Sequence, residues 1–176
     1  AHDYVMYITN TSDVNSPVIS NVLALNEVYE GADPTLYHTI GDLDQFRPSV
    51  TKLAEIEGAK TFCPTEGRST GGAFPYYNFE YGNGGMLLAV GWAGQWESNF
   101  DCTGLTDATL ITAGQQTFNA YLKPGEIVRT PSIATVSYDG RDEDRAANLW
   151  RRWYIDNIMY RVEDENGEMQ LFEPQR

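Results

Sequence analysis

Tyr76, Tyr77, Trp92 and Trp96 stand close together in the chain, with Asn78, Gln95, Glu97 and Asn99 between and beside them. Those residue types suit a neutral sugar. The CH faces of a sugar ring stack on flat aromatic side chains, and planar polar groups bind its hydroxyls. The four aromatics are therefore candidate substrate-binding residues. The packing alternative is that both tryptophans cover a core or a neighbouring layer. A two-residue turn at Ala93-Gly94 places Trp92 opposite Gln95 and Trp96 opposite Gly91. The two tryptophans then point to opposite faces of a sheet, so at most one belongs to the core.

Other chemistry is poorly supplied. The histidines are His2 and His38, and neither has a second His or Cys at metal-ligand spacing. No metal or cofactor is expected. The run Asp139-Gly140-Arg141-Asp142-Glu143-Asp144 lacks the alternating oxygen ligands of a calcium loop and reads as a helix start. Gly82, Gly84 and Gly85 lie between two strands, whereas a phosphate cradle needs a strand that leads into a helix. No Ser motif has a histidine near it for a nucleophilic triad. The 25 acidic residues leave paired-carboxylate hydrolysis open on composition, yet no two are marked as a pair. No catalytic residue is assigned. Cys63 and Cys102 are too few for a disulfide scaffold. Pairing them would close a loop of about 40 residues, and two free thiols are the alternative. Asn10-Thr11-Ser12 fits the glycosylation sequon, so the compartment stays open.

The elements that must position these residues are short strands. Candidates are Tyr4–Ile8, Val18–Leu25, Thr61–Cys63, Phe74–Tyr81, Met86–Trp92, Gln95–Phe100, Thr109–Thr112, Thr117–Leu122, Ile127–Thr130 and Ile133–Tyr138. Gly82 to Gly85 reads as a hairpin turn. Met86–Trp92 is nearly all apolar, which predicts burial on both faces. Residues 30–48 carry Gly31, Pro34, Gly41 and Pro48 and read as a long irregular connection. Ala146, Leu149, Trp150 and Trp153 follow helical spacing, with Asp142 as cap and Glu143 and Asp144 in the first turn. Asn166-Gly167 predicts a type I′ turn in a terminal hairpin. The fold class is mainly β, an antiparallel β-(super)sandwich with one C-terminal helix and a terminal hairpin. Residues 1–142 form the sandwich; 143–176 form a connecting helix and hairpin of the same domain.

The chain has 176 residues, 12 basic and 25 acidic, for a formal charge of −13. That balance excludes nucleic acid and anionic membrane as partners, since both would repel it. The longest apolar run, Met86 to Val90, is far short of the roughly 20 residues that a membrane helix needs. There is no basic-then-apolar leader, and the chain reads as a mature or excised piece.

Several motifs resemble one family. Gly67-Arg68-Ser69-Thr70-Gly71-Gly72-Ala73-Phe74-Pro75-Tyr76-Tyr77-Asn78-Phe79 resembles the "GRSS-N-G-x-x-PFFNL" stretch of glycoside hydrolase family 36, the α-galactosidase-like enzymes. The run from Gly84 to Trp96 is similar to their "GG-x-x-x-AIGW-[ST]-GQW". Leu122 to Pro131 is similar to "L-x-PGE-x-x-RTP", Asn148 to Arg152 to "N-x-x-RR", and Asn15 to Ile19 to "SP-[IV]-I". The order and spacing agree over most of the chain.

In that family these motifs lie in an N-terminal β-supersandwich ahead of a (β/α)8 barrel that carries both catalytic aspartates. No "K-[WY]-D" nucleophile motif occurs in this chain. The resemblance therefore implies a non-catalytic domain of a retaining α-glycosidase. Its expected partners are the barrel, a neutral oligosaccharide and a second copy of the chain. The segment Gly41 to Pro48 resembles a family loop at the pocket rim, which implies that Asp44 and Arg47 bind sugar hydroxyls; a surface ion pair is the alternative. Two further functions stay open: a self-sufficient carbohydrate-binding module, and a purely structural or oligomerisation domain.

Overall fold

The computed structural model describes residues 1–41, 48–164 and 166–172. Asp44 and Arg47 lie outside the described residues. Two compact units divide the chain, Ala1–Arg141 and Asp142–Arg176.

The first unit is all β. Its strands are β1 (His2–Tyr4), β2 (Tyr7–Thr9), β3 (Ile19–Ser20), β4 (Leu23–Glu30), β5 (Thr35–Thr39), β6 (Pro48–Lys52) and β7 (Lys60–Phe62). They continue as β8 (Tyr76–Tyr81), β9 (Gly84–Gly91), β10 (Trp96–Asp101), β11 (Ala108–Gln115), β12 (Asn119–Ala120), β13 (Ile127–Arg129) and β14 (Ser132–Asp139). One sheet has the order β1-β14-β9-β8-β5-β6 and the other β4-β11-β10-β7, with short ladders β12–β3 and β13–β2 beside them. Every pairing is antiparallel.

Alternation makes the layers. In β8, Tyr77 and Phe79 turn inward while Tyr76 stays exposed; in β10, Trp96, Ser98 and Phe100 are all buried. The facing rings interlock edge to face, Tyr77 on Phe100 at 5.0 Å and Tyr77 on Trp96 at 6.4 Å. The Tyr77 hydroxyl and Ser98 Oγ bridge the two sheets at 2.8 Å. The continuous apolar run of β9 is buried on both faces, as predicted.

The β8–β9 hairpin turns on Gly82-Asn83, since Tyr81 pairs with Gly84, and Gly82 holds a φ of 55°. Next to it a Cβ on Gly85 would run into the Tyr138 hydroxyl, so glycine here seats that ring. The ring in turn closes a buried polar group on the sheet's other face. Tyr138 Oη donates to Asn78 Oδ1 at 2.6 Å and to Glu80 Oε1 at 3.4 Å. Glu80 is only 4% exposed and meets Arg141 Nε at 3.3 Å and the Tyr37 hydroxyl at 3.3 Å. Burying a carboxylate is costly unless it is paired and hydrogen-bonded, and here it is both.

Three expectations need correction. Residues 30–48 are not one irregular connection: β5 lies inside the six-stranded sheet, between β8 and β6. Its five residues lie between Pro34 and Gly41, which obscured a short alternating strand. Of Thr117–Leu122, only β12 is strand. The segment at Ala93-Gly94 is not a hairpin turn, because β9 and β10 belong to different sheets and the chain crosses between them there. Of the two alternatives open for the cysteines, the structure has the second: Cys63 and Cys102 are free thiols. They flank opposite ends of the β7–β10 ladder, where Phe62 pairs with Ser98 and Lys60 with Phe100. That spacing of about five residues, or roughly 17 Å, is beyond a disulfide.

The second unit holds α1 (Glu143–Asn157) and a hairpin of β15 (Arg161–Glu163) and β16 (Met169–Leu171). Asp142 caps the helix by accepting from the Arg145 N–H at 3.0 Å. Ala146, Leu149, Trp150 and Trp153 are the helix residues that are not exposed, as their spacing predicts. The hairpin turn is longer than a type I′ loop. Glu163 pairs with Met169, and the Asp164 carboxylate accepts from the Asn166 and Glu168 N–H groups at 2.9 Å each.

Two outcomes follow for stability. Gly85→Ala forces the Tyr138 ring out of place and costs about 1–3 kcal/mol, the usual range for overpacking; a urea midpoint equal to the parent's contradicts this seating. His38 is buried edge-on to Phe62, and burial, helped by the charge of Lys60, lowers its pKa to about 4. The unfolded chain therefore binds the proton first, and stability falls as pH drops from about 6.5 toward 4. His38→Gln reduces the loss between pH 7 and pH 5 in denaturant titrations; equal losses in both chains count against it.

Candidate functional site

The Gly67–Phe79 motif starts in a closed loop. The Thr65 N–H donates to the Gly71 carbonyl at 2.7 Å, the Arg68 N–H to Thr65 at 3.3 Å, and the Gly71 N–H to Arg68 at 3.4 Å. Glu66, Gly67 and Gly72 take positive φ values, which glycine meets without strain at two of the three positions. The loop is pinned from inside the core. Trp96, 0% exposed, donates its indole N–H to the Ser69 carbonyl at 2.9 Å. A second strap lies alongside it. A Cβ on Gly41 would overlap the Thr70 carbonyl oxygen, and the Phe74 N–H donates to Thr39 at 3.3 Å. The end of β5 and the 65–74 loop thus run side by side, and the segment that carries Asp44 and Arg47 departs from Gly41 at that contact.

This rim is the candidate site. It presents the half-buried Ser69 and Thr70 and the exposed pair Arg68–Glu66, 2.8 Å apart. Phe74 and the 38% exposed Tyr76 continue it, with ring centroids 5.1 Å apart. These groups can stack on a ring and exchange hydrogen bonds with hydroxyls. Among the described residues, no group of three or more His, Cys, Asp or Glu side chains converges as a metal ligand set. No described helix is long and apolar enough to cross a membrane.

The predicted aromatic set does not meet in one place. Trp96 and the 3% exposed Tyr77 are core residues with no ring face left for a ligand, which corrects their assignment to substrate binding. Burial also pushes the Tyr77 phenol far up, so it stays a neutral partner of Ser98. Trp92 is half-buried at the edge of the core, and the Arg129 guanidinium lies 5.1 Å from its ring centre. Tyr76 alone of the four is exposed. The polar neighbours scatter too. Asn78 faces Tyr138, while Asn99 bonds Thr61 and Thr112 across the outer face of the other sheet.

The other motifs prove to be joints. In the Leu122–Pro131 stretch, Gly125 turns with a φ of 77° and its N–H reaches the Asn10 carbonyl at 2.9 Å. The Asn10 amide donates to the Leu122 and Val14 carbonyls at 2.8 Å each, so the sequon nitrogen is committed to closing a loop. The Thr130 hydroxyl accepts from the Met6 N–H at 3.1 Å. Sequence reasoning missed the Glu80 group, whose partners come from two distant stretches, Tyr37 from one and Tyr138 and Arg141 from the other, with no local pattern to join them.

No protein-family model matches the sequence, and no curated protein matches it. Solved structures do share its fold. An α-galactosidase from Lactobacillus brevis matches 84% of this chain and 20% of its own, at 14% identity and a TM-score of 0.72. The galactosidase domain of an α-galactosidase–sucrose kinase matches 78% of this chain and 20% of its own, at 14% identity and 0.63. A GH36 α-galactosidase variant from Geobacillus stearothermophilus, in complex with stachyose, matches 76% and 19%, at 16% identity and 0.60. At these identities the likeness shows a common fold. It falls on the same family that the motifs resemble, and the chain spans about a fifth of the length of these neighbours.

Trp96→Phe keeps the ring but loses the N–H bond to Ser69. Losing that bond to the half-buried Ser69 costs about 0.5–1.5 kcal/mol. Hydrogen exchange at Arg68 and Gly71 is expected to speed up more than exchange in β9, and uniform change across both regions speaks against a loop clamp.

Proposed function

We propose that this chain is the non-catalytic N-terminal β-sandwich domain of an α-galactosidase-type glycoside hydrolase. It docks on a catalytic (β/α)8 barrel and shapes the rim of the sugar pocket. The observation that carries this reading is coverage: the fold match takes in 84% of this chain but 20% of an α-galactosidase. The motif series supports it, since the Gly67–Phe79 stretch builds a loop held rigid by a buried tryptophan. Rigid support is what a pocket rim requires, because loose contacts lose orientation. Residues 143–176 belong to the same domain and lead toward the barrel.

In the intact enzyme, barrel carboxylates perform retaining hydrolysis through a covalent glycosyl intermediate. This domain supplies contacts and no proton transfer. Asp44 and Arg47 bind sugar hydroxyls from the segment that leaves Gly41 beside the loop. The seat of Gly41 on Thr70 supports that role, because it sets where the segment starts. The carbohydrate-binding-module reading loses two of its four aromatics to the core.

The purified chain is expected to release no product from an aryl α-galactoside, and turnover by it alone overturns the proposal. In an enzyme that carries both domain and barrel, Asp44→Ala raises KM about tenfold with kcat little changed, the mark of lost uniform binding. An unchanged KM removes Asp44 from the rim.

A further inference from the structure

One corner of the sandwich is filled differently from the rest. There β1 and β14 of the six-stranded sheet face β4, an edge strand of the other sheet. Inward positions along a strand recur every second residue. On β4 they are Leu25, Glu27 and Tyr29, and on β14 they are Ile133, Thr135 and Ser137. Leu25 and Ile133 are buried as a core requires, but Glu27 and Ser137 are exposed. His2 pairs with Thr135 and Tyr4 with Ile133, which puts both on that same inner side. Positions that hold Phe, Leu and Ile elsewhere thus hold a carboxylate, an imidazole, two aliphatic hydroxyls and two phenols. They line a cleft of roughly 310 Å³ that also reaches Leu25 and Met86, a size at the lower end of ligand pockets.

Glu27 and the two phenols are held in place. Tyr29 Oη donates to Glu27 Oε2 at 3.1 Å, and Tyr4 Oη donates to the Ala24 carbonyl at 3.0 Å. The Tyr29 ring also packs edge-on against Phe79 and Tyr81, at 6.2 and 5.8 Å. Burial first, and then the Glu27 charge, push both phenols up, so they stay neutral. Among the described residues no Lys or Arg pairs with Glu27.

We propose that this cleft binds one neutral saccharide ring, at a site separate from the 65–74 loop and independent of the barrel reading. A phenol ring supplies a face for the sugar CH groups. Glu27 accepts from ring hydroxyls through its second oxygen, and His2, Thr135 and Ser137 exchange hydrogen bonds with the others. An anionic ligand is repelled by Glu27. A single inward charge is enough to keep an edge strand from pairing with another chain; the hydroxyls, the imidazole and the anchored phenols go beyond that need.

The test is an amide NMR titration of the full chain with D-galactose, D-glucose and tetramethylammonium in turn. At least one sugar is expected to give saturable shifts at Glu27, Tyr29, Thr135 and Ser137, with a Kd of about 1 mM, the weak end of single-site binding. Glu27→Gln weakens that binding roughly tenfold, as loss of a charge-assisted hydrogen bond should. Ser137→Ala, at an exposed position that leaves the fold intact, also weakens it, whereas Tyr76→Ala does not. No saturable shift with either sugar overturns the proposal. So do shifts with tetramethylammonium alone, or sugar binding untouched by both Glu27→Gln and Ser137→Ala. Hydrolysis is not measured here, so these results stand apart from the test of the domain's role.

Discussion

Tyr77, Phe79, Phe100 and Trp96 form a single aromatic layer between two sheets that share no backbone ladder. Backbone hydrogen bonds organise each sheet internally but cannot hold one against the other. That task falls to ring contacts of 5–6.5 Å and to the buried Tyr77–Ser98 bond. Each fully buried aromatic contributes roughly 1.5–3 kcal/mol, so a few rings decide whether the layers close. The same layer reaches the surface at one point, where the Trp96 indole holds the Ser69 carbonyl. The candidate rim is therefore an extension of the core, and its shape depends on how the core packs.

Small residues sit where two parts of the backbone come close. Gly41 lies on Thr70, Gly71 on Thr65, and Gly84 and Gly85 on Tyr138. Each absent Cβ allows an approach that a larger residue would block, loop against loop at Gly41 and Gly71 and strand against strand at Gly84 and Gly85. The glycine-rich motifs that suggested a hydrolase family are thus, in this unit, parts of its joinery. They fix where the 65–74 loop stands.

Charge is handled by the same economy. Glu80 is buried and satisfied by Arg141 and two phenols, while Arg141 also reaches the Asp33 carbonyl at 2.7 Å and Thr35 at 3.0 Å. One guanidinium so joins the turn before β5 to β8. Other ion pairs of the described residues, Lys52–Glu55 and Arg68–Glu66, are exposed and worth under about 1 kcal/mol. The structural weight of charge in this unit rests on the buried pair.

Much of the fold was legible from local pattern. The alternation of Tyr77 and Phe79, a hairpin turn within Gly82–Gly85, the double burial of β9 and the Asp142-capped helix each depend on neighbours within a few residues, so periodicity and turn chemistry sufficed. The strand β5 was not legible, because five residues between Pro34 and Gly41 show too short a pattern to outweigh those breakers. Nor was the fate of the tryptophans. Trp92 and Trp96 look like a hairpin pair in sequence, yet the chain between them passes from one sheet to the other. Which sheet a strand joins is set by pairing with residues far along the chain, such as Trp96 with Gln115. That long-range choice put Trp96 in the core, left Tyr76 outside and opened the corner at Glu27. Residue types alone could name a sugar-compatible chemistry, but only the packing of distant strands could say which of those residues have a free face.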